Sequence, residues 1–275
     1  MLNALFIRHL ASSAVLAFCA AISVAGPSAA QAPQPVAWDS LKKDVFGAKD
    51  ILDGAGMINL ETPIRAEDAA IVPITVRMPA NFAGTVKKLT LIVDQNPSPV
   101  VATFTYGNAA GTGDRMLSTR IRMDQYSDVR AIAETADGKL YMTAKFVKAS
   151  GGCSAPMGKD AEEAMKSMGK MQIKKIVTKD ADALSQEAQI MIKHPNVTGM
   201  QMDQLSGLYA PARYINKIEV KSGNDLIFAM EGGISISEDP NFRFTMSGKT
   251  GDTIEVKAED SDGATFSGQS TPSQS

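Results

Sequence analysis

The sequence predicts an all-β protein, two antiparallel β-sandwich domains joined by a linker that carries a short helix. Three observations predict it. Short runs alternate apolar and polar residues with a period of two. Turn-forming groups such as Asp137-Gly138 and Ser222-Gly223-Asn224-Asp225 separate these runs. The alternation stops after Val147 and resumes beyond Asp182. Of the 275 residues, 44% are hydrophobic but only 6% are aromatic, so Val, Ile, Thr, Ala and Met must build the cores. The length suits one large or two small domains. The formal net charge of −2 provides no basic footprint for nucleic acid.

Residues 1–30 read as a secretory signal peptide. Arg8 and His9 form a short positive region, Leu10 to Val24 is apolar, and Ser28-Ala29-Ala30 offers small residues for cleavage. The apolar run is shorter than the roughly 20 residues a spanning helix needs. Bulky Phe18 before Cys19, and the apolar run continuing past it, argue against a lipid-attachment cysteine. The expected location is therefore the periplasm, with no membrane contact after cleavage. Cleavage also removes Cys19 and leaves Cys153 as the sole cysteine. An unpaired thiol in an oxidising compartment points to intermolecular pairing or reactivity. The alternative is a small apolar residue buried in a core.

After a Pro-rich lead-in, Trp38, Leu41, Val45 and Phe46 fall at helical spacing. Strand-like runs follow at Ile71–Met78, Lys87–Asp94, Val100–Tyr106, Arg115–Met123, Asp128–Glu134 and Leu140–Val147, a spacing that suits a sandwich. Residues 154–182 read as a linker, with a helical stretch from Asp160 to Gln172. Strands return at Glu187–Lys193, Arg213–Val220, Leu226–Glu231, Asn241–Met246, Thr253–Ala258 and Ala264–Ser267. Residues 269–275 are a polar tail, expected to be disordered.

Few catalytic or metal chemistries are available. Past the signal there is one histidine, His194, whereas a zinc site of His and Cys ligands wants several in clusters. No Cys-x-x-Cys pair, phosphate-binding glycine loop or nucleophile elbow is present. A Cys153–His194 couple would have to bridge the two predicted domains. Cys153 follows Gly151 and Gly152, and glycines leave a segment slim and conformationally free. The thiol is thus expected to be exposed and mobile, reaching roughly 20 Å from the sandwich, with Lys148 near enough to lower its pKa slightly. Arg65, Arg120 and Arg122 are candidates to bind an anionic group, against the plainer reading as solvated strand arginines. Met165, Met168 and Met171 recur every three residues with Met157 upstream. They support either a copper(I) site or an apolar stripe covering the seam between domains.

Two resemblances bear on function. Residues from Trp38 to Cys153 resemble the SoxY subunit of the bacterial thiosulfate-oxidising carrier. The resemblance rests on Phe46-Gly47, Pro63-Ile64-Arg65-Ala66-Glu67-Asp68-Ala69, Asp94-Gln95-Asn96-Pro97, Thr119-Arg120-Ile121-Arg122, Asp137-Gly138-Lys139-Leu140-Tyr141 and Gly151-Gly152-Cys153. Residues from Ile192 to Gly248 resemble SoxZ, through Lys193-His194-Pro195, Thr198-Gly199, Pro211-Ala212-Arg213-Tyr214-Ile215, Gly232-Gly233-Ile234-Ser235-Ile236-Ser237 and Asn241-Phe242-Arg243-Phe244. The resemblance implies immunoglobulin-like sandwiches, a SoxY-like domain over 31–153 and a SoxZ-like domain over 183–268. It implies a carrier rather than an enzyme, without cofactor or resident metal. Cys153 would hold a sulfur-containing intermediate covalently, and Gly151 and Gly152 would form a swinging arm that presents it to partner enzymes. In the family the arm usually ends the chain, whereas here a second domain follows it. The fused order is similar to carriers that accompany quinoprotein dehydrogenases of alcohol oxidation. Joining the two domains also raises their effective concentration toward the millimolar range. The alternatives are a copper-binding protein and a non-covalent binding module or chaperone, in which Cys153 would be incidental.

Overall fold

The computed structural model describes residues 38–156, 161–176, 186–203, 206–247 and 253–270. The expected signal peptide, the Pro-rich lead-in, Met157 and residues 271–275 lie outside the described residues, while the first two residues of the expected tail are ordered, Gln269 closing the last strand and Ser270 buried on Ile254. The first half comprises α1 (Trp38–Phe46), β1 (Ile51–Asp53), β2 (Asn59–Glu61), β3 (Val72–Met78), the four-residue α2 (Ala80–Ala83), β4 (Val86–Val93), β5 (Val100–Tyr106), β6 (Arg115–Ile121), β7 (Ser127–Thr135) and β8 (Leu140–Val147). The second comprises α3 (Ala161–Ser167), β9 (Met171–Ile176), β10 (Gln186–Ile192), β11 (Ile215–Ser222), β12 (Asp225–Gly232), β13 (Asn241–Met246), β14 (Ile254–Asp260) and β15 (Thr265–Gln269).

The fold is all-β, built from two sheets. A nine-stranded sheet runs β1-β8-β7-β4-β5-β12-β11-β14-β15, and a six-stranded sheet runs β2-β3-β6-β13-β10-β9. The period-two pattern explains the layering. Val72, Ile74, Val76 and Met78 of β3 are buried in alternation, as are Phe242, Phe244 and Met246 of β13. β4 is buried along most of its length because it is covered twice. Leu89, Leu91 and Val93 face the core between the sheets, while Leu41 of α1 packs on Ile92, Ile132 and Leu140 from outside.

The two halves share both sheets. β5 pairs antiparallel with β12, placing Phe104 opposite Met230, and β6 pairs with β13, placing Leu117 opposite Phe244. Phe104 and Phe228 meet edge-to-face at 5.7 Å, Phe104 and Phe242 at 5.9 Å, and Phe228 and Phe244 at 5.0 Å. One apolar cluster therefore draws on both halves, from Ile58 to Ala258, and strands that would otherwise be exposed edges find partners. Gly107 at this seam has no room for a side chain, since a Cβ would lie 2.3 Å from the Leu226 carbonyl oxygen.

The segment joining the halves departs from its expected form. The helix expected from Asp160 to Gln172 occupies only Ala161–Ser167, and from Met171 the chain pairs as β9 with β10. Gly169, at φ +82°, ends the turn between them. The three methionines consequently share no helix face. Met165 is exposed on α3, Met168 lies in the turn, and Met171 packs on the core from β9, against Gly268.

Candidate functional site at Cys153

Past β8 the chain does not leave the body. It lies along the stretch that follows β6, residues 122–124, and that stretch is itself fixed on three sides. The Arg122 amide donates to the Ser235 carbonyl (2.8 Å), the Met123 amide to the Ala69 carbonyl (2.8 Å) and the Asp124 amide to Asn96 Oδ1 (2.9 Å). Asn96 is buried and its Nδ2 donates to the Arg122 carbonyl (2.8 Å) and to Ser235 Oγ (2.9 Å), which ties the β4–β5 connection to the second half. The free carbonyls of this stretch then receive the glycine segment. The Gly151 amide donates to Asp124 O and the Gly152 amide to Met123 O, each at 2.8 Å.

The second half closes the site from the other side. Thr198 Oγ1 donates to the Cys153 carbonyl at 2.6 Å, and Gln201 Nε2 donates to the Ala155 carbonyl at 3.0 Å. Gln201 Oε1 in turn accepts from the Thr198 amide, so the two clamp residues brace each other. Arg122 Nη1 donates to the Gly152 carbonyl at 3.1 Å. The segment is thus held by backbone and side-chain hydrogen bonds from both halves.

This geometry corrects the expectation of an exposed, mobile thiol. Cys153 is 0% exposed, and Gly152 is buried beside it. The glycines serve close approach here. A Cβ on Gly152 would sit 2.0 Å from the Ala69 carbonyl oxygen, and Gly151 turns the chain at φ +81°, a left-handed conformation that favours glycine. Gly151 and Gly152 are therefore a docked strap in this state rather than a free arm. The physical reason is that the Gly151 and Gly152 N–H groups both find carbonyls on residues 123–124, which outweighs the conformational freedom of glycine.

The thiol is correspondingly inert where it lies. Burial pushes its pKa up from 9.0 to about 12, nearby Asp124 pushes in the same direction, and Arg122 pulls it down only in part. Cys153 is itself fully buried, and Arg122, Thr198 and Gln201 hydrogen-bond the carbonyls of Gly152, Cys153 and Ala155 around it. Burial lowers the Arg122 pKa, while Glu238, Cys153 and Asp68 act in the opposite direction.

The structure separates the other candidate residues. His194 does not join Cys153. Its Nδ1 accepts the Asn196 amide at 3.1 Å, and its Nε2 faces Asp260 Oδ2 at 3.5 Å in a fully buried setting. Burial lowers its pKa, so it is a neutral ring that organises the start of the 194–201 loop. Arg65 is exposed and bridges Lys148 through the backbone, Arg120 donates to the Asp239 carbonyl, and Arg122 alone of the three reaches the strap. Among the described residues, no group of three or more His, Cys, Asp and Glu could hold a metal ion, and no helix is long and apolar enough to cross a membrane. Asn96, Asp124, Thr198 and Gln201 were not singled out as site residues by the sequence. Asn96 and Thr198 carried a signal, since both lie in the family-like motifs; Asp124 and Gln201 carried none.

Comparison with known proteins places this site within a family. The profile of sulfur oxidation protein SoxY matches residues 42–153, ending on the strapped cysteine, and that of sulphur oxidation protein SoxZ matches residues 174–271. The chain belongs to these sulfur-oxidation protein families, with a SoxY region and a SoxZ region in one polypeptide. Among solved structures it is similar to the sulfur carrier protein SoxY from Chlorobium limicola f thiosulfatophilum, at 26% identity over 40% of this chain and 90% of that one, with a TM-score of 0.33. A β-glycosidase from Bacteroides vulgatus aligns over 78% of this chain and 24% of its own, at 8% identity and a TM-score of 0.24. A glycoside hydrolase family 2 β-glucuronidase aligns over 78% and 20%, at 11% identity and a TM-score of 0.22. No curated protein matches the chain.

Proposed function

We propose that this protein is a periplasmic carrier that holds a sulfur-containing intermediate covalently on the Cys153 sulfur and presents it to partner enzymes. The observation that carries the reading is the placement of Cys153. It is the sole cysteine among the described residues, it closes the SoxY match, and it sits on a strap that hydrogen bonds from both halves hold in place. Such bonds are individually modest, so the strap can lift while the sandwich stays folded. Once lifted, the thiol regains an ordinary pKa and can act as a nucleophile.

In this reading the chain performs no turnover of its own, and its partners carry out the chemistry. The SoxZ-type half contributes Thr198 and Gln201, which return the strap to its docked state. The fused order of the two regions points to a quinoprotein alcohol dehydrogenase system as the partner. The test is intact-mass analysis of protein recovered from the periplasm without reductant. The expected result is a chain beginning near Gln31 that carries a sulfur-containing adduct on Cys153, released by dithiothreitol. A bare thiol under every growth condition that expresses the protein, together with unchanged pathway output in Cys153→Ser, would count against the reading.

A further inference from the structure

Arg122 is among the largest fully buried side chains of the described residues, at 1% exposure. Only one of its nitrogens is satisfied. Nη1 donates to the Gly152 carbonyl, while Nε and Nη2 meet no acceptor, and no carboxylate among the described residues pairs with them directly. These two nitrogens are the ones whose N–H groups point along the same side of the guanidinium plane. They form the fork that grips two oxygens of a single anion. The same fork is filled elsewhere in the molecule, where Arg130 Nε and Nη2 hold the two carboxylate oxygens of Asp94 at 2.8 and 2.7 Å. A buried donor pair without an acceptor is costly and calls for a ligand.

The position of the fork says which ligand. The guanidinium binds the carbonyl one residue before Cys153, and Thr198 holds the carbonyl of Cys153 itself. The Cys153 and Arg122 side chains also act on each other electrostatically, so a group attached to the sulfur starts in the neighbourhood of the guanidinium. Resting on the reading of Cys153 as the covalent carrier, we propose that the Arg122 fork receives an oxyanion borne on the Cys153 sulfur, a sulfonate-terminated group, and keeps the loaded strap docked. Two oxygens on one atom fill both donors. A terminal sulfur anion offers one acceptor atom, and an alkylthio group offers no charge.

The test uses the full mature chain and two disulfide-type adducts of similar size. Tetrathionate reacts with the thiolate at an inner sulfur: a new Sγ–S bond forms, the central sulfur–sulfur bond breaks, thiosulfate leaves, and the adduct is Sγ–S–SO3⁻ on Cys153. Methyl methanethiosulfonate forms the neutral disulfide Sγ–S–CH3 on Cys153, with methanesulfinate leaving. The readout is the rate at which dithiothreitol strips each adduct, divided by the rate for the same adduct in the urea-unfolded chain. The expected result is protection of the sulfonate adduct exceeding that of the methylthio adduct by about tenfold or more, the scale of a charge-assisted hydrogen-bond pair. Arg122→Gln abolishes the preference, and Arg122→Lys, which keeps the charge without the fork, retains a small part of it. Equal protection of the two adducts in the unmodified protein, a comparison that needs no variant, would overturn the proposal, as would a preference that survives Arg122→Gln. Thermal stabilisation of Cys153→Ser by free thiosulfate or sulfate, as large as that given by the covalent group, would assign the fork to free anions and also overturn it. These outcomes are independent of whether the exported protein carries a native adduct, which tests the carrier reading itself.

Discussion

Arg130 and Arg122 lie in the same half of the molecule, a few residues apart in sequence, and they have opposite surroundings. Arg130 is nearly buried and wholly partnered. Asp94 fills its fork, Asp128 lies at 3.3 Å, and the Trp38 ring stacks at 4.0 Å. Arg122 is more deeply buried, yet its fork is empty and its one bond is to the carbonyl beside the candidate carrier thiol. A guanidinium paired with an internal carboxylate holds α1, β4 and β7 together. Arg122 Nε and Nη2, buried without an acceptor, add little to the resting fold, which fits the ligand role proposed above. Pairing, rather than burial, is what separates the two arginines.

The largest expected effect breaks the first member of the pair. Asp94→Ala empties the Arg130 fork in a nearly buried position, leaves only the more exposed Asp128 beside it, and should lower the unfolding free energy by about 3 kcal/mol in urea denaturation, the usual consequence of removing one partner of a buried ion pair. Next comes the strap. Gly152→Ala cannot dock, because its Cβ would meet the Ala69 carbonyl at 2.0 Å. Native-state alkylation of Cys153 by iodoacetamide should quicken on the order of 100-fold, matching the loss of several hydrogen bonds of about 1 kcal/mol each. Circular dichroism of the sheets should be unchanged. The smallest effect sharpens the contrast. Arg122→Met exchanges an unpaired buried cation for an apolar side chain and should alter unfolding free energy by less than about 1 kcal/mol in either direction. A loss as large as that for Asp94→Ala would show that Arg122 is a second structural ion.

Much of the fold was legible from periodicity. Val100–Tyr106, Leu140–Val147 and Asn241–Met246 begin and end as strands where alternation and turn residues place them. β1 and β2 were missed because three residues are too few to display a period of two. β9 was missed: Met171 and Gln172 were read as the end of a helix and residues 173–176 as linker, whereas pairing with β10 decides the matter from outside the segment. The mutual pairing of the halves was equally hidden. The strands that join, β5 with β12 and β6 with β13, lie more than a hundred residues apart, and no local signal reports such a register.

The site was half legible. Cys153 stands out by its singularity and by the two glycines before it, but the same glycines suggested freedom where the structure uses them for contact. What docks the strap is the pair of carbonyls at 123–124 and the distant Thr198 and Gln201, none of which alters the local pattern around 150. Arg122 looked like one more strand arginine. Its burial runs against the usual exposure of that side chain, and only tertiary packing reveals it.

The pH response follows from the raised pKa. A thiol pushed up from 9.0 to about 12 keeps its proton in the docked state while the lifted or unfolded thiol loses it near pH 9. The docked state therefore binds more protons above pH 9. Its advantage is complete below that pH and drains away as pH rises toward about 12. The central claim, a docked thiol that works by lifting, is tested most directly by measuring the Cys153 alkylation rate of the folded protein from pH 7 to 11, beside the urea-unfolded chain. The account predicts that the folded protein reacts on the order of 100-fold more slowly at pH 8, reacts to completion without global unfolding, and keeps accelerating past pH 9 where the unfolded chain levels off. A folded protein that reacts as fast as the unfolded one, or that reacts only when the whole sandwich unfolds, would contradict it.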